Sequence, residues 1–423
     1  MRDIESTTAL LRQMSGISDP KKLLRLILDS ARRDFNVQRA IVLSREGLQY
    51  PLFRVVLTAG CDDQAPGAAA DDPELVHAGG LLAELLYAGR FSRMTPIVSH
   101  GTAPSQALLE GCRSLVAFPM YDRGDAVGMV VLLGPSDQEC GAPDLCGLAI
   151  MAALLERADR AYSLAKQLET TCRALDAELA AAASVQRWLL PPPAPPTPSV
   201  DVASFYRTAH HCGGDYYDAG TLANGAFGVL IADVSGHGAA AAVLMAILRT
   251  VVHDEVDRTR HTNPAALLDH ADERFCAIGL PSRGMFITAF SGVLDVHTGR
   301  LAYSCAGHPS PRLLRAADRA VTPIAGANLL PLGILEDRTP HAEEIIALEP
   351  GDLLLFYSDG ITEARSPTGE FFGVERLDQL LGELPQPAST DAAVQAIREA
   401  VDAFSGAGPP ADDQTLLAVR WRE

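Results

Sequence analysis

The chain has no CxxC pair, no apolar run long enough to cross a bilayer and no excess of basic charge. Each lack removes a class of function. The eight cysteines are scattered, which argues against a disulfide framework and suits reduced thiols in a cytosol. The longest apolar runs, 126–133 and 148–155, have the length of buried core rather than of a membrane span. The start, Met1-Arg2-Asp3-Ile4-Glu5, lacks the charged-then-apolar layout of a signal peptide. A cytoplasmic protein is therefore expected. A net charge of −18 argues against nucleic acid or an anionic membrane as the main partner. It suits a protein that collects divalent cations, although solvated surface carboxylates account for it equally well.

What is present is length and apolar content. A chain of 423 residues, 48% hydrophobic, is globular and exceeds one ordinary core. Three regions separate by pattern, with expected boundaries at 15–157, 158–190 and 198–423. In the first, Asp19-Pro20 reads as a helix start, and Leu24, Ile27, Leu28, Ala31 and Phe35 recur at helical spacing. Short strands at 40–43 and 53–57, a helical stretch over 74–87 and a hairpin of 114–119 with 126–133 make a mixed α/β domain. The second is a long helix from about 143 to 190. Its apolar or small positions Ala161, Ala165, Leu168, Cys172, Leu175, Leu179, Ala182 and Leu189 step by four and three, with Gln186 as the polar break. That spacing predicts a coiled-coil seam and a parallel homodimer; packing on its own domain is the alternative. Pro191-Pro192-Pro193 ends the run. The third region alternates strands with helices, the clearest strands being 227–232, 285–293, 301–305, 353–358 and 415–419. The fold class is α+β.

Four aspartate motifs in the third region share a layout, a carboxylate at a strand end or in a glycine turn. They are Gly213-Gly214-Asp215-Tyr216-Tyr217-Asp218, Asp233-Val234-Ser235-Gly236-His237-Gly238, Ser358-Asp359-Gly360 and Asp412-Asp413-Gln414. A carboxylate beside an apolar strand is costly to dehydrate alone. Several at strand ends can converge, and a cation then cancels their repulsion. Oxygen donors without paired cysteine or histidine suit Mg²⁺ or Mn²⁺ rather than Zn²⁺. Two such ions ~3.5–4 Å apart would share a water that attacks phosphorus in line, with no nucleophilic Ser or Cys. Each motif alone reads more simply as a turn or a solvated loop; four within one domain point to a two-metal site.

With further text, Ala306-Gly307-His308-Pro309-Ser310-Pro311, Leu332-Gly333-Ile334, Pro350-Gly351-Asp352, Ile361-Thr362-Glu363-Ala364 and Gln186-Arg187-Trp188-Leu189-Leu190-Pro191, residues 180–423 resemble the SpoIIE-type branch of the PPM metal-dependent Ser/Thr phosphatases, which includes the RsbU-like regulators. The resemblance implies an α-β-β-α sandwich with two Mn²⁺ or Mg²⁺ ions at one end. It implies Asp215, Asp233, Asp359 and Asp412 as catalytic metal ligands, with Asp233 bridging, the carbonyl of Val234 coordinating and Asp413 as an alternative to Asp412. Relatives often have glycine where Val234 stands. It implies, as substrate, a phosphorylated anti-sigma-factor antagonist. Eukaryotic members hold phosphate with an arginine; Arg207 is a guess for that role, and a surface role is the plainer reading. His237, His308 and the His210-His211-Cys212 cluster read more simply as structural or incidental. The first region is similar to GAF domains, with a small molecule or protein as the sensed ligand. Cys61, Cys112, Cys140 and Cys146 there read as small apolar residues rather than redox or haem ligands. The rival readings are a phosphatase-like scaffold without turnover, disfavoured because none of the four aspartates is missing, and a two-metal hydrolase of small phosphoesters, which would want a basic pocket.

Overall fold

The computed structural model describes residues 12, 17, 19–60, 75–98, 104–136, 145–192, 197–259, 263–335, 339–385, 389–406 and 408–422. Cys61, Cys140, Pro143, Pro193 and the side chain of Cys146 lie outside them. The chain divides into two compact units, Met1–Arg173 and Ala174–Glu423.

In the first unit, Asp19 caps helix α1 (Pro20–Phe35) by accepting the Lys21 N–H at 2.9 Å. Leu24, Ile27, Leu28 and Ala31 form its buried stripe. An antiparallel sheet runs in the order β3-β2-β1-β6-β5-β4. Its strands are β1 (Arg39–Ser44), β2 (Leu52–Ala59), β3 (Val76–Ala78), β4 (Ser92–Met94), β5 (Ser114–Asp122) and β6 (Asp125–Gly134). Two apolar layers cover it. Helix α1 and the start of helix α3 (Leu145–Leu189) pack on one face, and α2 (Gly80–Ala88) packs on the other. The stretch expected to be helical from 74 is strand first, because Gly79 and Gly80 both adopt positive φ and delay the helix.

Helix α3 changes character along its length. Met151, Ala152 and Leu155 are buried, whereas every residue from 161 to 178 is exposed, Leu168 at 66% and Leu175 at 55%. These seam positions are covered by nothing among the described residues of this chain.

The second unit is a sandwich of two sheets. One has the order β14-β11-β10-β9-β8 with β15 beside β11, and the other the order β13-β12-β16-β17-β7. The strands that matter for the site are β7 (Val200–Arg207), β8 (Tyr216–Thr221), β9 (Phe227–Val234), β10 (Ile287–Asp295), β16 (Leu353–Tyr357) and β17 (Gln414–Trp421). The others are β11 (Arg300–Ala306), β12 (Arg312–Leu314), β13 (Val321–Pro323), β14 (Asn328–Leu329) and β15 (Glu344–Ala347). Alternation along each strand decides the layers. Val229 and Ile231 of β9 meet Phe356, Leu417 and Val419 in the inter-sheet core. Leu230, Ala232 and Val234 point the other way, under helices α4 (Ala239–Thr259) and α5 (Pro264–Ala277). Leu353, Leu355, Leu416 and Ala418 pack under α7 (Val374–Glu383) and α8 (Thr390–Ser405), beyond the short α6 (Asp359–Thr362). The layer order is α-β-β-α.

Candidate metal centre

Antiparallel pairing brings the aspartates together. Strand β8 starts just after Asp215 and lies against the end of β9, Tyr216 opposite Ala232, so Asp215 and Asp233 share one end of the first sheet. Strand β16 runs out at Tyr357 opposite Leu416, so Asp359 shares an end of the second sheet with Asp412 and Asp413, which precede β17. A hydrogen bond joins the two ends: the Thr415 hydroxyl on β17 donates to Asp215 Oδ2 at 2.6 Å. The period of two places Asp233 on the same side of β9 as Val229 and Ile231, so it looks into the gap between the sheets.

Burial and like charge then act on these groups. Asp215 is 1% exposed, and burial pushes its carboxyl up despite the hydroxyls of Ser358 and Thr415, with Asp413 and Asp359 adding to the rise. Asp233 is pushed up further, by burial first and then by the charges of Asp215, Asp359 and Asp412. Asp359 is raised to about 6 by burial, Asp412 and Glu363. Four carboxylates therefore sit in one field. Among the described residues no three Asp, Glu, His or Cys side chains stand close enough to chelate one ion outright. Burial is the first cause of the raised carboxyls of Asp215, Asp233 and Asp359, and like charge adds to it. The donor set is all oxygen, and hard divalent ions keep several waters while touching one or two carboxylates each, so these residues fit Mg²⁺ or Mn²⁺.

Asp412 and Asp413, indistinguishable in the sequence, differ here. Asp412 is exposed and faces the charge of Asp233 and Asp359. Asp413 is 3% exposed and is consumed by backbone, accepting the Ala209 N–H at 2.8 Å and the Gly214 N–H at 2.6 Å. Two glycines are required by these approaches. A Cβ on Gly214 would lie 2.8 Å from the Val234 carbonyl oxygen, and one on Gly360 would lie 2.0 Å from the Asp413 carbonyl oxygen.

The sequence reading missed the job of Gln186. Its amide forms a paired clamp on Gly213, donating to the carbonyl at 2.5 Å and accepting the N–H at 3.1 Å. The only signal was a polar residue interrupting the apolar seam of α3. The guanidinium of Arg207 is held by Gln414 and Asp402. His308 is buried and bonded to the Thr288 hydroxyl at 2.9 Å, and burial holds its imidazole neutral, down to about 3. The His237 ring packs against His210 at a tilt of 44°, with centroids 4.8 Å apart. His211 lies 3.7 Å from Asp176, and Cys212 is buried with its thiol directed at the Leu179 carbonyl, so 210–212 is not a ligand cluster. Asp352, 0% exposed, is occupied by Arg315 and by the N–H groups of Ala316 and Glu349, a structural task.

The family described as Stage II sporulation protein E (SpoIIE) matches residues 223–422, a span that starts downstream of Asp215. Protein IcfG of Synechocystis sp. is 26% identical over 237 residues, covering 48% of this chain and 35% of that protein. Phosphoserine phosphatase RsbU of Bacillus subtilis is 27% identical over 212 residues, covering 49% of this chain and 61% of that protein. The chain thus spans less than two thirds of either relative. The SiaA-PP2C domain of Pseudomonas aeruginosa superposes with a TM-score of 0.51 at 19% identity, over 59% of this chain and 98% of that one. That likeness is one of fold.

Proposed function

We propose, from the match of residues 223–422 to the SpoIIE family and the resemblance of the aspartate motifs to the PPM phosphatases, that this chain is a metal-dependent phosphatase acting on phosphoserine or phosphothreonine of a partner protein. The observation that carries the reading is the shared field of Asp215, Asp233, Asp359 and Asp412 at one end of the sandwich. Such an arrangement is unfavourable unless divalent cations complete it. Two bound Mn²⁺ or Mg²⁺ ions would supply water activation and neutralisation of phosphate charge.

The residues have separate tasks in this reading. Asp215, Asp233, Asp359, Asp412 and the Val234 carbonyl hold the ions. Asp413 orients the Gly213-Gly214 turn from below. Thr415 locks Asp215 in place across the sheets. No side chain need act as a nucleophile, because phosphoryl transfer requires chiefly positioning and charge neutralisation. Regulation enters through Gln186, which joins the end of α3 to the turn bearing Asp215. The exposed seam of α3 supports a second copy of the chain as its partner, and the first unit is the sensor. A phosphorylated anti-sigma-factor antagonist is the substrate type that the resemblance favours.

The experiment is Mn²⁺-dependent phosphate release from a phosphoserine protein, set beside ATP and cyclic nucleotides. Release from the protein alone is expected, and Asp359→Asn abolishes it while the fold is kept. Hydrolysis of nucleotides with the phosphoprotein untouched, or full turnover by Asp359→Asn, would overturn the assignment.

A further inference from the structure

A cleft of about 430 Å³ opens beside the aspartates, between the last turns of α3 and the segment 206–211. Gln186, Arg187, Tyr206, Arg207, His210 and His211 line it. It borders the metal centre by three independent links. Gln186 is bonded to Gly213, the Ala209 N–H is bonded to Asp413, and the His210 ring packs at a tilt against His237, four residues past Asp233.

The cleft gathers basic side chains that are sparse elsewhere in this acidic chain. In a chain of net charge −18, its wall gathers two arginines and two histidines, with Asp176 near His211 and Asp402 on Arg207 as the opposing acids. Arg207 is committed to Gln414 and Asp402, so it serves as wall. Arg187 is exposed and has no hydrogen-bond or ion-pair partner among the described residues. The Tyr206 hydroxyl is buried and unpartnered, leaving a further donor at the inner wall. Beside Arg187 stands Trp188, 76% exposed. Exposed tryptophan and arginine together are the residues most enriched at the energetic centres of protein interfaces.

Resting on the phosphatase reading above, we propose that this cleft selects phosphoproteins with acidic side chains flanking the phosphorylated residue, and that Arg187 is the anchor for that flank. The phosphate itself belongs to the aspartate-held cations. What runs past it lies over the cleft, and a free guanidinium offers two parallel donors to a carboxylate. The same α3 terminus that clamps the Asp215 turn through Gln186 thereby reads the substrate through its neighbour. A shift of the helix would then alter turnover and recognition together.

The test uses the full chain with Mn²⁺ and three phosphoserine peptides that differ only in their flanks: Asp and Glu, Asn and Gln, or Lys. Each kcat/KM is divided by the same variant's rate on p-nitrophenyl phosphate, which has no flank. The unaltered protein is expected to favour the acidic peptide by about tenfold, through KM. Arg187→Ala brings that ratio within about twofold, and Arg187→Lys keeps most of it. Arg187→Glu moves the preference to the lysine-flanked peptide. An unaltered protein that releases phosphate equally from all three peptides overturns the cleft assignment and leaves the phosphatase reading standing. So does an acidic preference that survives Arg187→Ala. Hydrolysis of p-nitrophenyl phosphate with no release from any peptide or phosphoprotein overturns both.

Discussion

The two units are built from the same materials, mixed α and β with helices laid on sheets, yet their interiors differ. Among the described residues, the buried polar side chains of the first unit are Ser105 and Ser114. The second unit buries Gln186, Asp215, Asp272, His308, Arg312, Asp352, Ser358, Asp413, Gln414 and Thr415 among others. A buried carboxylate costs stability unless it is bonded or paired. Most of the second unit's buried acids are satisfied: Asp352 by Arg315 and backbone, Asp413 by backbone. The exception is the group at the end of the sandwich, where burial first and neighbouring carboxylates second raise the carboxyls of Asp215 and Asp233. Uncompensated burial thus marks the place where something other than packing sets the sequence.

The sharpest way to break that contrast is to separate two neighbours on one loop. Asp412→Asn is expected to lower kcat by about a hundredfold or more, with no loss of thermal stability in metal-free protein, because it removes a repelling charge. Asp413→Ala is expected to cost roughly 2–3 kcal/mol of stability, since the Ala209 and Gly214 N–H groups lose their acceptor. Paired melting curves and phosphate-release rates decide it. Exchanged phenotypes would mean that Asp413 is the ligand.

How far the sequence carries depends on whether a feature repeats. Short apolar runs made β9, β10, β16 and β17 legible, and the motifs at their ends followed. The α1 cap and stripe were equally plain, since Asp19-Pro20 and four apolar positions agree. Strand β3 was hidden because three residues at a sheet edge carry no period, and the glycine pair 79–80 is silent about φ until the turn is built. Asp412 and Asp413 could not be ranked from sequence because both precede the strand, and only the Gly213-Gly214 backbone tells them apart. Gln186 stood out solely as a defect in a heptad seam. Its partner lies 27 residues away, a distance no local pattern spans.

A smaller effect is expected from that residue. Gln186→Ala removes both bonds to Gly213 and should lower kcat about tenfold by loosening the turn that carries Asp215. Activity measured against Mn²⁺ concentration should show a lower plateau or a midpoint shifted to higher metal. A curve identical to that of the unaltered protein would leave α3 without this route to the centre, and the contrast between its exposed stretch and its clamped end would be one of packing alone.

The smallest expected effect tests the contrast directly, because it asks which unit feels a cation. Asp359 is held at about 6, and Asp215 and Asp233 are held higher. A carboxyl whose folded value is raised contributes stability that is whole below the unfolded value of about 4 and is lost as pH rises through the folded value. Metal-free protein should therefore melt a few degrees lower at pH 8 than at pH 5. The first unit moves in the same direction, since burial also raises Glu156 and Asp159, so pH alone does not separate the two. The cation does. Millimolar Mn²⁺ should abolish the decline for the second unit, where ionised carboxylates gain a counter-charge, and should leave the first unit's transition where it was. Calorimetry of the full chain with chelator and with Mn²⁺, across pH 5 to 8, reads both transitions. A metal-induced shift in the first unit's transition, or none in the second's, would separate uncompensated burial from metal binding.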